Sequence, residues 1–194
     1  MTDRSRFAEQ YLNGLVRTVR EMPLDDIAKL LEVLEIALQE RRLILLAGNG
    51  GSAATASHMA NDLMNGVAQG GNYGFRAIAL SDNVPAITAV ANDENYREIF
   101  ARQIEGLAQS GDILLVISGS GNSSNLLRAV ESARTIGMTT LALLGMGGGK
   151  LAELVDFSVI APSDDYGPIE DIHMVLDHLV TAYFRNRLPT SPKP

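Results

Sequence analysis

All three histidines of the chain lie near carboxylates. His58 and Asp62 stand four residues apart in a stretch of helical character, so their side chains share one face. Toward the C-terminus, Glu170, Asp171, His173, Asp177 and His178 crowd a second helical stretch. Imidazole and carboxylate together can hold a divalent ion, or divide proton transfer between a general acid and a general base. A plain surface pair of His58 with Asp62 is the simpler alternative. His173 lies on a different face from His178 and suits a hydrogen bond in the core or at an interface. The residues alone leave these alternatives open.

A second chemistry is anion binding. Leu43 to Ala47 runs into Gly48-Asn49-Gly50-Gly51-Ser52, which reads as a buried strand, a tight turn and a helix start with Ser52 able to cap it. First-turn N–H groups have no intrahelical partner and sit at the positive end of the helix dipole, and Gly50 and Gly51 let a ligand approach the backbone. Ser118-Gly119-Ser120-Gly121-Asn122-Ser123-Ser124-Asn125 repeats the logic after the apolar run Ile113 to Ile117, with hydroxyls that accept a phosphate without Lys or Arg. One such loop is as well explained by an ordinary βα turn with a Ser123 cap; two on neighbouring strands are explained that way less well. The glycines match neither GxxxxGKS/T nor GxGxxG, so no P-loop or dinucleotide fingerprint is supported. A further loop after Ala89 holds Asn92 and Asp93, and Gly145 to Gly149, which lacks hydroxyls, reads as a flexible turn.

These residues need a scaffold. Apolar positions every three or four residues predict helices over Phe7 to Glu21 and Leu24 to Glu40. Strands are expected at Leu43 to Ala47, Phe75 to Leu80, Ile113 to Ser118, Thr139 to Leu144 and Phe157 to Ala161, short apolar runs suited to burial on both faces. Helices are expected over Ser52 to Val67, Tyr96 to Ala108, Ser123 to Ile136, Lys150 to Leu154 and Ile169 to Arg187. The alternation predicts an α/β parallel sheet with right-handed crossovers and ligands beyond the carboxyl ends of its strands. The two leading helices either cover their own sheet or pack on another subunit.

Composition narrows the function. At 194 residues and 46% hydrophobic content the chain suits one domain, residues 1–194, with a helical pair (1–40), an α/β core (41–188) and a tail (189–194). A net charge of -7 and no basic cluster argue against nucleic acid, leaving small molecules or other subunits as partners. The absence of Cys excludes thiolate metal sites and disulfides. No leader pattern and no apolar run of membrane-spanning length is evident, so the expectation is a cytoplasmic protein with no membrane partner.

Gly48-Asn49-Gly50-Gly51-Ser52 leading to His58, Ser118-x-Ser120-Gly121-Asn122-Ser123, and Glu170-Asp171-x-His173 followed by His178 resemble the sugar isomerase (SIS) family, specifically the sedoheptulose-7-phosphate (phosphoheptose) isomerases. The resemblance covers nearly the whole chain. It implies an SIS-type doubly wound three-layer sandwich, flavodoxin-like, with a five-stranded parallel sheet and two extra N-terminal helices. It implies a homotetramer with sites at subunit boundaries, acting on a sugar phosphate. By the same resemblance, Ser118, Gly119, Ser120 and Ser123 hold phosphate, and Asn49, Gly50, Gly51, Ser52, Asn92, Asp93 and Glu170 meet the sugar. Asp62 and His178 would be the catalytic base and acid, and His58, Asp62, Glu170 and His178 would bind zinc. Asp62 stands where relatives carry Glu, Glu170 where they carry Gln, and Pro168 where many carry Arg. The expected activity is conversion of sedoheptulose 7-phosphate to a heptose 7-phosphate through an enediol; the alternative is a non-catalytic sugar-phosphate sensor or replication-associated adaptor of the same fold.

Overall fold

A computed structural model of the chain describes residues 2–68 and 73–187. The expected tail at 189–194 lies outside them. Five parallel strands form one sheet: β1 (Leu43–Gly48), β2 (Arg76–Ala79), β3 (Ile113–Ser118), β4 (Thr139–Leu144) and β5 (Phe157–Ile160). Their order is β2-β1-β3-β4-β5, the flavodoxin-like order, so the chain switches sides between β1 and β3. Gly48 pairs with Ile117 at that switch, which brings the two loops singled out above side by side.

The central strands alternate faces, though both faces are apolar. Ile44, Leu46, Leu115, Ile117, Leu141 and Leu143 pack with one layer of helices. Leu45, Ala47, Leu114, Val116, Ala142 and Leu144 pack with the other. The first layer contains α2 (Leu24–Gln39), α3 (Gly51–Asn61) and α8 (Tyr166–Arg187). The second contains α4 (Val84–Asp93), α5 (Ala101–Leu107), α6 (Ser124–Ile136) and α7 (Gly149–Leu154). β2 departs from the expected doubly buried run: as an edge strand it alternates exposed and buried.

The two leading helices differ in what they cover. α2 buries Ile27, Leu30, Leu34 and Ala37 in the sheet's own core, whereas α1 (Asp3–Arg20) leaves Phe7, Leu12, Val16 and Val19 exposed and meets α8 through the Tyr11 hydroxyl donating to Asp171 Oδ2 at 3.0 Å. No helix among the described residues is long and apolar enough to cross a membrane.

Several expected boundaries move for local reasons. Gly50, with φ +55, forms the N-cap of α3, so Ser52 lies inside the helix and caps nothing. The expected helix to Val67 changes at Asp62 into a π-helical turn, Asp62–Gly66. The loop expected to hold Asn92 and Asp93 is instead the end of α4, whose start is set by Asn83 accepting from the Ala86 N–H and by Pro85 in the first turn, where a missing N–H costs nothing. The helix expected from Tyr96 divides into a 3-10 turn (Tyr96–Glu98) and α5, and α8 begins at Tyr166 with Pro168 in its first turn. Gly145 to Gly149, expected to be flexible, is docked: Gly148 is buried, Met146 N–H donates to Ser163, and Leu151 N–H donates to Gly121 of the serine loop.

Candidate functional site

α3 and α8 lie side by side, and this pairing assembles the titratable groups. Glu170 meets Gly51 at the head of α3, where a Cβ would lie 2.5 Å from Glu170 Oε1. Seven residues farther along each helix, His58 meets Asp177, with Nε2 and Oδ2 3.9 Å apart. Equal steps on both helices mean that they run in parallel, and two turns of helix span about 10 Å. That rise separates Glu170 from the histidine cluster.

The cluster consists of His58, Asp62, Asp177 and His178, each offering one ligand atom within 4.8 Å of the others. His58 Nε2 lies 3.7 Å from Asp62 Oδ2, and the His58 and His178 rings meet edge to face at 5.4 Å between centroids. Three of the four expected metal residues therefore converge, and the fourth, Glu170, does not: its carboxylate turns onto Gly51, and Asp177 occupies the place near His58. The π-helical turn supplies part of this geometry. It begins at Asp62 and widens the helix, and Gly66 lets α8 approach, since a Cβ there would sit 3.0 Å from Thr181 Cγ2.

Burial differs across the cluster. The side chains of His58 and Asp62 are 47% and 21% exposed, while that of Asp177 is fully buried. Burial, reinforced by the neighbouring Asp62 carboxylate and opposed by His58, pushes the Asp177 carboxyl up to about 7. His173 is equally buried but points elsewhere. Its Nε2–H donates to the Leu144 carbonyl at 3.2 Å, and burial pushes its pKa down to about 4 against that bond, so it is a neutral core histidine.

The two loops are tied together by amides. Asn49 Nδ2–H donates to Asn125 Oδ1 at 2.9 Å, Asn125 returns a bond to Asn49 Oδ1 at 2.8 Å, and the Tyr96 hydroxyl donates to the same oxygen at 2.9 Å. Ser118 is buried, and its hydroxyl oxygen accepts from Gly121 N–H at 3.1 Å, so it braces the loop. Ser120 is half-buried, its backbone carbonyl held by Asn122, and Ser123 is the N-cap of α6 with its hydroxyl making no capping bond. Gly119 is packed under Tyr166. Gly50 and Gly51 are exposed and Ser52 is buried in the first turn of α3. Asn92 and Asp93 are exposed and bonded to each other, Asn92 donating at 2.8 Å. Tyr96, three residues on, is the one that reaches Asn49.

Asp177 and Asn125 lay in stretches that the sequence singled out but were given no role in the site, and Tyr96 was not expected there at all. Asp177 stood beside His178 in the sequence and Asn125 at the end of the serine loop. Tyr96 carried no signal of its own.

Comparison with known proteins agrees with this architecture. A family model described as SIS domain matches residues 8–145. A phosphoheptose isomerase of Helicobacter pylori strain P12 is 41% identical over 177 residues, covering 89% of this chain and 87% of that protein. The structure of a phosphoheptose isomerase from Francisella tularensis superposes with a TM-score of 0.86 at 31% identity, covering 96% of this chain and all of the other. More distantly, the Vibrio vulnificus NanR protein complexed with ManNAc-6P shares the fold at a TM-score of 0.67 and 16% identity, over 94% of this chain and 61% of that one. The chain belongs to the SIS domain family, in the group that contains the phosphoheptose isomerases.

Proposed function

We propose that the chain is a phosphoheptose isomerase, interconverting sedoheptulose 7-phosphate and D-glycero-D-manno-heptose 7-phosphate. The observation that carries this is the convergence of His58, Asp62 and His178 on the helix that follows the glycine loop and on α8, in a chain 41% identical to a phosphoheptose isomerase. The reaction moves one carbon-bound proton and one hydroxyl proton, with no other bond made or broken. Asp62, the more accessible carboxylate, takes the proton from C1 of the ketose and returns it to C2. His178, whose ring nitrogen lies within 4.8 Å of the Asp62 carboxylate, passes the hydroxyl proton between the two oxygens of the enediol. Such acid–base assistance contributes about 10²–10⁴ in rate.

The phosphate is assigned to Ser120, Ser123 and the backbone of Gly119, on the loop that Ser118 braces. The polyol is assigned to Asn49, Gly50, Gly51, Ser52 and Glu170. Asn92 and Asp93 are outer contacts of the sugar. The donor set around His58 also fits a divalent ion, zinc first: two imidazoles and two carboxylates converge without a thiolate, and both oxygens of buried Asp177 have no hydrogen-bond partner among the described residues. His58, His178 and a carboxylate of the cluster would hold it, and when bound it would polarise the substrate's carbonyl. The exposed apolar face of α1 supports a homotetramer, and a chain without Cys suits the cytoplasm.

Incubating the purified protein with sugar 7-, 6- and 5-phosphates, with and without zinc, tests the assignment. Turnover of the seven-carbon ketose phosphate is expected. Tight binding without turnover of any sugar phosphate would make the chain a sensor instead.

A further inference from the structure

From the burial and orientation of one side chain, we infer that Asp177 is the carboxylate ligand of a divalent ion at the His58–His178 cluster, leaving Asp62 free to move the substrate proton. The inference rests on the metal assignment above and deepens it.

Asp177 is fully buried, and neither of its carboxylate oxygens has a hydrogen-bond partner among the described residues. An unpaired buried carboxylate is expensive, and native folds keep one only where something compensates it. What it faces is the cluster: His58 Nε2 lies 3.9 Å away, and ligand atoms of Asp62 and His178 lie within 4.8 Å. These separations exceed direct hydrogen bonds, as expected of side chains that converge on a common point rather than on each other. Thr181, one turn along α8, also has a buried hydroxyl without a partner, and it sits against Gly66 at the end of the π-helical turn.

Two acids in one cluster resolve a conflict of roles. A carboxylate bound to a cation is a weakened base, so a single Asp would have to choose between holding the ion and abstracting a proton. Here the buried acid suits the fixed task, and the partly exposed Asp62, at the mouth, suits the task that meets substrate. Glu170, two helical turns away on Gly51, is left to the sugar.

The test is zinc titration of metal-free protein, followed by calorimetry and by the zinc-induced shift in melting temperature, for the wild type and for Asp177→Asn, Asp177→Leu and Asp62→Asn. Loss of a ligand should cost at least the 10–100-fold in affinity typical of groups that support one. Both Asp177 variants should therefore bind zinc at least about 100-fold more weakly, while Asp62→Asn should stay within about tenfold of the wild type and lose turnover. Metal-free Asp177→Leu should melt at or above the wild-type temperature, because it removes an unpaired buried acid. That result also shows that weaker binding does not reflect misfolding. Wild-type affinity in both Asp177 variants overturns the inference while leaving a metal site standing. A larger loss in Asp62→Asn than in Asp177→Asn reverses the roles and overturns it too. A wild type that binds no zinc removes the metal assignment and the inference together.

Discussion

Gly121→Ala should separate the serine loop's role in binding from its role in folding. Gly121 has φ +64, a region in which an L side chain is strained by about 1–2 kcal/mol. A Cβ there would overlap the carbonyl oxygen of Gly148 and come within 2.6 Å of its carbon, where ordinary contact begins at 3.4 Å. Clearing the carbon alone requires a shift of about 0.8 Å, and both partners are backbone, so the loop must lift from the Gly145–Gly149 turn. Overpacking of this kind adds about 1–3 kcal/mol. The total, about 2–5 kcal/mol, corresponds to a fall of about 4–20 °C in Tm for a domain of this size. The same shift would carry Ser120 away from the position proposed for the phosphate. A hydrogen bond to a charged group is worth about 1.5–3 kcal/mol, so KM should rise by at least about tenfold with kcat less affected. Gly147→Ala is the control: φ there is +70 but nothing lies within 4 Å of a Cβ, so it should show the strain alone and an unchanged KM. Thermal melts and initial-rate kinetics on both variants decide the matter. A large fall in Tm with wild-type KM in Gly121→Ala would refute the placement of phosphate on this loop.

Ser120→Ala removes a hydroxyl whose one backbone bond, accepted from Asn122 N–H at 3.4 Å, is long, and should raise KM about 10–100-fold with little change in Tm, read by the same assays. Tyr96→Phe deletes one of two donors to Asn49 Oδ1 and should cost about 1 kcal/mol of stability or an equivalent loss in kcat/KM, by urea unfolding and kinetics. His173 gives a pH signature. Because its folded pKa of about 4 lies below the ordinary 6.5, its stabilising share is present above pH 6.5 and is lost as pH falls toward 4. Between pH 6.5 and 5 the wild type should lose about 2 kcal/mol relative to His173→Leu in urea unfolding; parallel pH curves would contradict the buried neutral histidine.

Much of this was legible in the residues because the sheet is built from short apolar runs bounded by glycine and hydroxyl residues. β3 and β4 lie where their runs begin and end, and β1 extends one residue beyond its run. β2 alternates because an edge strand has a solvent face, which its composition barely shows. α4 was missed because Pro85 reads as a breaker when it is a helix start, and only Asn83 before it marks the difference. His58, Asp62 and His178 were legible from spacing and family resemblance. The exchange of Glu170 for Asp177 was not, because it depends on how α3 registers against α8. That register is set by packing between helices about 120 residues apart, with Glu170 stopped against Gly51. Ser118 shows the same limit in a smaller way: its type suits phosphate, but its hydroxyl oxygen is engaged by Gly121 within the loop.

The account stands most directly on proton transfer by Asp62 and His178 in a sugar phosphate. Incubation with sedoheptulose 7-phosphate in D2O, followed by NMR, should show appearance of the aldose with deuterium at C2 and, on the returned ketose, at C1. Asp62→Asn should abolish both signals while retaining substrate binding, and His178→Ala should lower the rate at least about 10²-fold. Binding of the sugar phosphate with no carbon-bound exchange in the wild type, or full exchange in Asp62→Asn, would contradict it.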